Sequence, residues 1–280
     1  MRKHFELTEE TKKVEGRIVY RVRALVDLPH HNVKAGDLGG FVQDIRNLCD
    51  EAWVADEAVV LDHATLCYRA RAENHAILRD DACARGTSIA RDRGELCGFA
   101  FISGKARVEE DARITDFARV IDDASVKGHA TLRDWATARN FSCVSGWAKM
   151  SGNSRANDRS QVSGLAEMHD HARAYRDAVV TDMAYLEGVS EVGKGALVRD
   201  SEDVMTLSPV GKGGFSLTIA NSSKESKVYS KGFAIELHSL AEFLTSAYGI
   251  EDERLVASIV SLFRAKAENL KKVEGQTCNS

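Results

Sequence analysis

Proline is nearly absent from this 280-residue chain, and both of its prolines, Pro29 and Pro209, lie outside the long central segment. Because proline removes a backbone donor, its absence there suits interior β-strands. Long apolar runs are absent too: no stretch approaches the ~18 residues of a membrane span, and residues 1–5 lack the apolar region of a signal peptide. These absences predict a cytoplasmic protein without a membrane segment.

The chain also lacks an excess of positive charge. Its 38 Lys and Arg residues against 42 Asp and Glu give a net charge of -4, so there is no global electrostatic argument for nucleic acid as a partner. No C-x-x-C pair occurs, and unpaired spacing favours free thiols in a reducing cytoplasm over a disulfide framework. The six cysteines are Cys49, Cys67, Cys83, Cys97, Cys143 and Cys278.

What the chain does have is a period of six. From Glu51 to Thr206 the sequence divides into 26 hexads with no residue gained or lost. The second position is Ala in 19 of them, the fourth is apolar in all 26, and the sixth is Asp, Asn or Gly in 21. The frame continues upstream to Gly39 through Val42 and Leu48. Self-similarity at a fixed period is the mark of a repeat architecture.

Each hexad predicts one short strand and one corner. Small or apolar second and fourth residues between polar neighbours alternate with period two, as a strand with one buried face does. The fifth and sixth positions are rich in residues that tolerate turn and left-handed conformations, and they predict the corner. A helix is excluded because six matches neither 3.6 nor 3.5 residues. Three hexads per coil therefore predict a β-solenoid of about nine coils over residues 39–206.

The flanking segments do not follow this period. Residues 1–38 predict an N-terminal β cap, with a strand at Arg17–Asp27, that covers the open end of the solenoid. Residues 207–280 predict a C-terminal α+β domain. Its predicted strands are 215–220 and 227–235, and its predicted helices are 240–248 and 252–271. The second helix is expected to place on one face Leu255, Ile259, Leu262 and Phe263.

The hexad pattern resembles the hexapeptide repeat of left-handed parallel β-helix proteins, and the resemblance covers about 60% of the chain. The best-known members of that group are trimeric acyltransferases. The resemblance therefore implies a left-handed parallel β-helix, a homotrimer and, if the chain is an enzyme, acetyl- or acyl-CoA as cofactor. Residues 21–29 (RVRALVDLP) and 33–42 (VKAGDLGGFV) resemble the opening of YdcK-like proteins of the acyltransferase type. Related hexapeptide-repeat proteins are common in enterobacterial phages and prophages.

Two departures from the acyltransferase pattern count against catalysis. Those enzymes usually have Gly directly after the central aliphatic residue, whereas this position varies here, as Leu61, Glu73 and Arg79 show. They also commonly interrupt the repeat with a loop that builds the active site, and this repeat contains no insertion.

Positions 18 residues apart stack in successive coils, which predicts columns of outward side chains. One column contains three aromatic first-position residues with a fourth aromatic nearby, and another contains Trp and two aliphatic residues. Exposed apolar strips usually mark interfaces, here between subunits or against the C-terminal domain. The alternatives are that the stacked aromatics only lengthen a stable rod, or that they form a ligand platform. The predicted interface residues are Phe99, Phe101, Phe117, Trp135, Trp147, Leu165 and Met183.

Histidine is the usual general base of the acyltransferases that the repeat resembles. His129 is the first candidate because it is predicted on the Trp147 face, and His171 is the second. A metal site built from His169 and His171 is disfavoured, since both side chains cannot readily point one way from a strand and a corner. We expect no metal and, outside the acyltransferase alternative, no cofactor.

Arginines recur on the aromatic face. Arg119, Arg155 and Arg173 predict a place where an acidic ligand or a nucleotide docks, with a solvated charged surface as the alternative.

The uninterrupted repeat favours a non-catalytic interaction or scaffold protein, of the phage or prophage type, that binds a host or partner protein. A cytoplasmic acyl-CoA-dependent acyltransferase is the first alternative. A small-molecule or nucleotide binder at a trimer groove is the second.

Overall fold

The computed structural model describes residues 4–210, 215–222 and 225–277. The fold is mainly β, with a β-solenoid of about nine turns, parallel sheets, a small C-terminal antiparallel sheet and few helices. This confirms the predicted fold class. The chain divides into two compact units, 1–152 and 153–280.

The first unit begins with an antiparallel hairpin of β1 (Phe5–Val14) and β2 (Arg17–Ala24). Strand β2 pairs antiparallel with β3 (Leu38–Val42), which in turn pairs in parallel with the first coils. The hairpin therefore covers an edge that a solenoid end would leave open. Two short 3-10 turns follow, at Pro29–His31 and Ile45–Asn47. Strand β1 was not predicted, because its many charged residues obscure the alternation of apolar and polar side chains that indicates a strand.

The coils of this unit are built from two-residue strands that recur every six residues. Strands β4 to β20 are Trp53–Val54, Val59–Val60, Thr65–Leu66, Arg71–Ala72, Ile77–Leu78, Cys83–Ala84, Ile89–Ala90, Glu95–Leu96, Phe101–Ile102, Arg107–Val108, Arg113–Ile114, Arg119–Val120, Ser125–Val126, Thr131–Leu132, Thr137–Ala138, Cys143–Val144 and Lys149–Met150. Each is formed by the third and fourth residues of a hexad. They pair in parallel with a register of eighteen residues, so Phe101 lies opposite Arg119 and Arg119 opposite Thr137.

The interior follows from the alternation. Second-position alanines and fourth-position aliphatic residues are fully buried, as Ala118 and Val120 illustrate. Third-position side chains point outward and are half-buried or exposed, except Trp53 and Val59 in the first coils, which are buried. The predicted inside and outside of the coil are thus correct.

The corners lie one residue later than predicted. They consist of the sixth residue of one hexad and the first of the next, rather than the fifth and sixth. The sixth residue adopts the left-handed conformation, with φ of 56° at Asp116 and 57° at Asp134. The Asp116 carboxylate accepts the N–H of Asp134 at 3.2 Å, and the Asp134 carboxylate accepts that of Gly152 at 3.0 Å. Aspartate is favoured here because it tolerates this backbone and bonds the next coil.

The second unit begins with further coil strands of the same kind. Strands β21 to β28 are Arg155–Ala156, Gln161–Val162, Glu167–Met168, Arg173–Ala174, Val179–Val180, Tyr185–Leu186, Glu191–Val192 and Leu197–Val198. The last hexad of the sequence frame is not a coil strand. It forms a 3-10 turn, Ser201–Asp203, and the start of the next strand.

An antiparallel sheet follows, of β29 (Val204–Val210), β30 (Phe215–Ala220), β31 (Lys227–Ser230) and β32 (Phe233–Glu236), in sequence order. The predicted single strand 227–235 is in fact two strands joined by a turn. This sheet packs on the last coils of its own unit: the N–H of Glu191 donates to Thr218 Oγ1 at 3.0 Å, and that of Leu197 donates to the Asn221 carbonyl at 2.8 Å.

Two helices complete the second unit, α1 (Leu240–Tyr248) and α2 (Glu253–Thr277). Helix α1 has the predicted bounds, although the Ser239 side chain does not cap it. Ile259 and Phe263 of α2 are buried as predicted, but Leu255 and Leu262 are exposed, because the sheet covers a narrower stripe of the helix. In the described part of the chain, no helix has the length and apolar character needed to cross a membrane.

Candidate functional site

Three aromatic side chains form a column on one corner of the first unit, which we call the aromatic ladder: Phe99, Phe117 and Trp135. The ring centroids of Phe99 and Phe117 lie 4.9 Å apart with planes 2° from parallel. Those of Phe117 and Trp135 lie 4.3 Å apart with planes 4° from parallel. The in-register coils impose this stacking, because neighbouring strands lie about 4.8 Å apart.

The ladder is exposed, with 55% of Phe99, 39% of Phe117 and 52% of Trp135 accessible to solvent. Since an aromatic side chain presents roughly 200 Å², the three rings leave about 300 Å² of apolar surface in water. That is as large as the main apolar patch of many monomers. Stacking covers both faces of Phe117 and one face each of Phe99 and Trp135, so the column presents mainly ring edges to the solvent. The ladder is therefore a ridge rather than a platform.

The flat sheet beside this corner continues the surface through β12, β15 and β18. Its outward positions form two further columns next to the ladder, one of third-position and one of fifth-position residues. The third-position column consists of Phe101, Arg119 and Thr137, and the fifth-position column of Ser103, Ile121 and Arg139. We call the ladder and these two columns together the aromatic–arginine face.

This face has an unusual distribution of charge. Its two columns contain no carboxylate. Arg119 and Arg139 are exposed, and neither forms an ion pair with any residue that the structure describes. Carboxylates occur instead at the bordering corners, for example Asp116 and Asp123. The face is thus an apolar and basic surface between acidic margins.

The other predicted arginines lie in the second unit. Arg155 and Arg173 are in-register neighbours and both are exposed. Arg173 Nη1 lies 3.3 Å from Glu191 Oε1, which neutralises part of its charge.

His129, the first catalytic candidate, stands on a different corner of the first unit. Its ring stacks on Trp147 with centroids 4.0 Å apart, and its Nδ1 lies 3.8 Å from Asp111 Oδ2. Arg93 already binds Asp111 through two hydrogen bonds of 2.5 and 2.7 Å and holds the pKa of that carboxyl below its usual value. Asp111 is therefore a weak orienting partner for His129, since 3.8 Å exceeds hydrogen-bond distance.

His171, the second candidate, is exposed at a corner of the second unit. His169 is half-buried, and its Nε2 lies 3.0 Å from Glu167 Oε2, with its ring 5.1 Å from that of Tyr185. Within the described ranges, no three His, Cys, Asp or Glu side chains are arranged to hold a metal ion.

The remaining predicted interface residues are strongly exposed. Trp147 is 58% exposed at its corner of the first unit. Leu165 and Met183 are 58% and 67% exposed in the second. The sequence reasoning missed Phe141, which is 66% exposed. It occupies the first position of its hexad, so the coil from Trp135 to Gly152 has an aromatic residue at each of its three corners.

The five cysteines that the structure describes, from Cys49 to Cys143, are all free. Cys278 lies outside the described residues. Burial and the neighbouring Cys49 raise the pKa of the Cys67 thiol to about 11. A thiol with a raised pKa is a poor nucleophile.

The fold and these surfaces define a β-solenoid protein with an exposed aromatic ridge. Comparison with protein-family models and with curated proteins gave no match.

Proposed function

We propose that the protein is a non-catalytic binding protein that docks a partner protein on the aromatic–arginine face. The observation behind this proposal is the aromatic ladder, whose three half-exposed rings are held parallel on a regular backbone. Aromatic and Arg residues are enriched among the side chains that dominate interface energies. Rings that are already ordered lose little conformational entropy on binding.

The shape of the ladder favours a protein partner over a flat small molecule. A ligand that stacks needs a free ring face, and the Phe117 ring has neighbours on both sides at 4.9 and 4.3 Å. A ridge of ring edges instead fits an apolar groove, as a folded partner offers. The resemblance to phage and prophage hexapeptide-repeat proteins makes a host protein a reasonable partner to test first.

The test compares the proteins that the wild type and a ladder variant capture from a lysate of the host cell. Wild-type protein and the Phe117→Arg/Trp135→Arg variant are immobilised, and the captured proteins are quantified by mass spectrometry. The best candidate is then purified and titrated by calorimetry. We expect the ladder variant to weaken binding at least ~100-fold, because two anchor residues of ~2 kcal/mol or more are replaced by charges.

Ser125→Arg/Thr131→Arg is the matched control, since it adds the same charges at outward positions of the other two sheets. It should retain the partner. If ladder and control variants bind equally well, or if no captured protein binds measurably once purified, the proposed function is wrong.

An acyltransferase is the second candidate, favoured by one observation: His129 lies beside both a carboxylate and an exposed indole, at 3.8 and 4.0 Å. Histidine is the side chain that enzymes use most often as a general base. Calorimetry with acetyl-CoA tests it. Micromolar binding that disappears in His129→Ala would support the enzyme, and no heat at millimolar acetyl-CoA would reject it.

A further inference from the structure

We infer that the aromatic–arginine face takes an acidic partner segment, a stretch of polypeptide with carboxylates beside an apolar or aromatic residue. This inference rests on the proposed function of the ladder and adds the chemistry of the partner. It depends on Arg119 and Arg139, which play no part in the stacking of the ladder.

Arg119 and Arg139 lie close enough together for one partner segment to contact both. Arg119 is a third-position residue, and Arg139 is the fifth-position residue of the next coil, in register with Ile121. They are two residues apart along the strand and one coil apart across it, which places their backbones roughly 8 Å from each other. Alternate residues of an extended chain are ~7 Å apart, so two carboxylates spaced i and i+2 reach both guanidinium groups over Ile121.

Several arginines elsewhere in the first unit are neutralised by a neighbouring carboxylate. Arg79 and Arg113 both pair with Glu95, at 2.7 and 3.3 Å. Arg91 pairs with Glu109 at 2.9 Å. On the aromatic–arginine face no carboxylate is available at the outward strand positions, so the charge of Arg119 and Arg139 remains for a partner.

The same observations disfavour nucleic acid. Bases bind proteins by stacking on free aromatic faces, whereas the Phe117 ring is covered on both faces and the Phe99 and Trp135 rings on one face each. A continuous chain of phosphates would also cross the acidic margins at Asp116, Asp122, Asp123 and Asp134. Two discrete carboxylates avoid that repulsion, whereas a polyanion does not.

The experiment uses fluorescein-labelled random copolymer of glutamate and tyrosine as probe, with a lysine–tyrosine copolymer and oligothymidylate for comparison. Fluorescence anisotropy is recorded with full-length wild-type protein and with Arg119→Gln/Arg139→Gln, at low and high salt. We expect the wild type to prefer the glutamate copolymer and the double variant to bind it at least ~10-fold more weakly, with the difference shrinking as salt rises.

Arg107→Gln/Lys127→Gln is the matched control. These two residues are exposed, have the same twenty-residue offset and lose the same charge, but they lie on a sheet without the ladder. Their change should stay below ~2-fold, and thermal unfolding followed by circular dichroism verifies that each variant is folded.

Three outcomes would overturn the inference: no binding of the glutamate copolymer by the wild type, equal weakening by both double variants, or preferential binding of oligothymidylate. Failure of the proposed function is separate. It occurs if Phe117→Arg/Trp135→Arg keeps the captured protein. If that variant loses the protein while Arg119→Gln/Arg139→Gln binds it and the copolymer normally, only the acidic-segment inference fails.

Discussion

A methyl group is the side chain that fits the second position of each hexad. Ala118 is fully buried, and so are Ala100 and Ala136, which precede and follow it in the same column. Interiors packed at crystal-like density cannot absorb a larger group without moving the backbone. Packing inside the coil therefore explains why 19 of the 26 second positions are Ala.

Replacement of Ala118 by Phe should be strongly destabilising. We expect Ala118→Phe to lower the free energy of unfolding by at least ~1–3 kcal/mol through overpacking, and outward Thr131→Phe to cost much less. Urea unfolding monitored by circular dichroism measures both. Similar losses for the two variants would mean that the inside and outside of the coil are wrongly assigned.

The aspartates at the coil corners should also stabilise the fold, through hydrogen bonds to neighbouring coils. Asp92 has φ 60°, its Oδ2 accepts the Glu110 N–H at 3.1 Å, and its Oδ1 accepts Asn74 Nδ2 at 2.9 Å. Asp92→Ala loses both bonds and places Ala in a left-handed conformation, so we expect a loss of ~1–3 kcal/mol in urea unfolding. Asp92→Asn keeps an acceptor and tolerates that backbone, and it should cost clearly less. An equal loss for the two variants would mean that neither the retained acceptor nor the tolerance of the left-handed backbone accounts for the role of Asp92.

At the scale of an element, two buried histidines of the N-terminal cap, His4 before β1 and His31 in the 3-10 turn after β2, contact the first coil. His4 Nε2 lies 3.0 Å from the Ala52 carbonyl, and His31 Nε2 lies 2.8 Å from that of Glu51. Burial lowers the pKa of both side chains; bonds to these carbonyls oppose the shift, and Arg71 adds to it at His31. Burial thus disfavours the charged form of both imidazoles in the folded protein.

The cap should therefore weaken in mild acid. Because the folded pKa of each histidine is below its unfolded value of about 6.5, the stabilisation is fully present above that pH and is lost as the pH falls below it. We expect hydrogen exchange of β1 and β2 amides to report weaker protection at pH 5.5 than at pH 7.5, after correction for intrinsic exchange rates. His4→Gln/His31→Gln should show a smaller pH dependence. Exposed His75→Gln is the control, and a double variant with the wild-type dependence would refute the mechanism.

How far the sequence predicts an element depends on whether the element repeats. The eighteen-residue register follows from the hexads, and with it the order of Phe99, Phe117 and Trp135 along one corner. The place of the corner does not follow, because it depends on which residue takes positive φ. Elements that occur only once, such as β1 and β29, were missed, because a single short segment offers no repeated pattern against which its alternation can be recognised. Phe141 was missed because it has no aromatic neighbour in its column within the first unit.

At the scale of the whole molecule, the exposed apolar corners bear on self-association. The coil from Trp135 to Gly152 has exposed aromatic residues on three corners, Trp135, Phe141 and Trp147. A closed ring of three subunits needs two different apolar surfaces on each subunit, because its interface is heterologous. Phe141 and Trp147 supply an exposed aromatic anchor on each of two corners other than the ladder corner, which leaves the aromatic–arginine face free for a partner.

We therefore expect a trimer that does not depend on the ladder. Light scattering should give a mass of about three chains of 30.7 kDa for the wild type and for Phe117→Arg/Trp135→Arg. Phe141→Arg/Trp147→Arg should give single chains, because charges in the core of an apolar interface cost several kcal/mol unless they are paired. If instead the ladder variant dissociates and the Phe141→Arg/Trp147→Arg protein stays assembled, the ladder joins copies of the chain to each other. The partner-binding role proposed for it would then have to be given up.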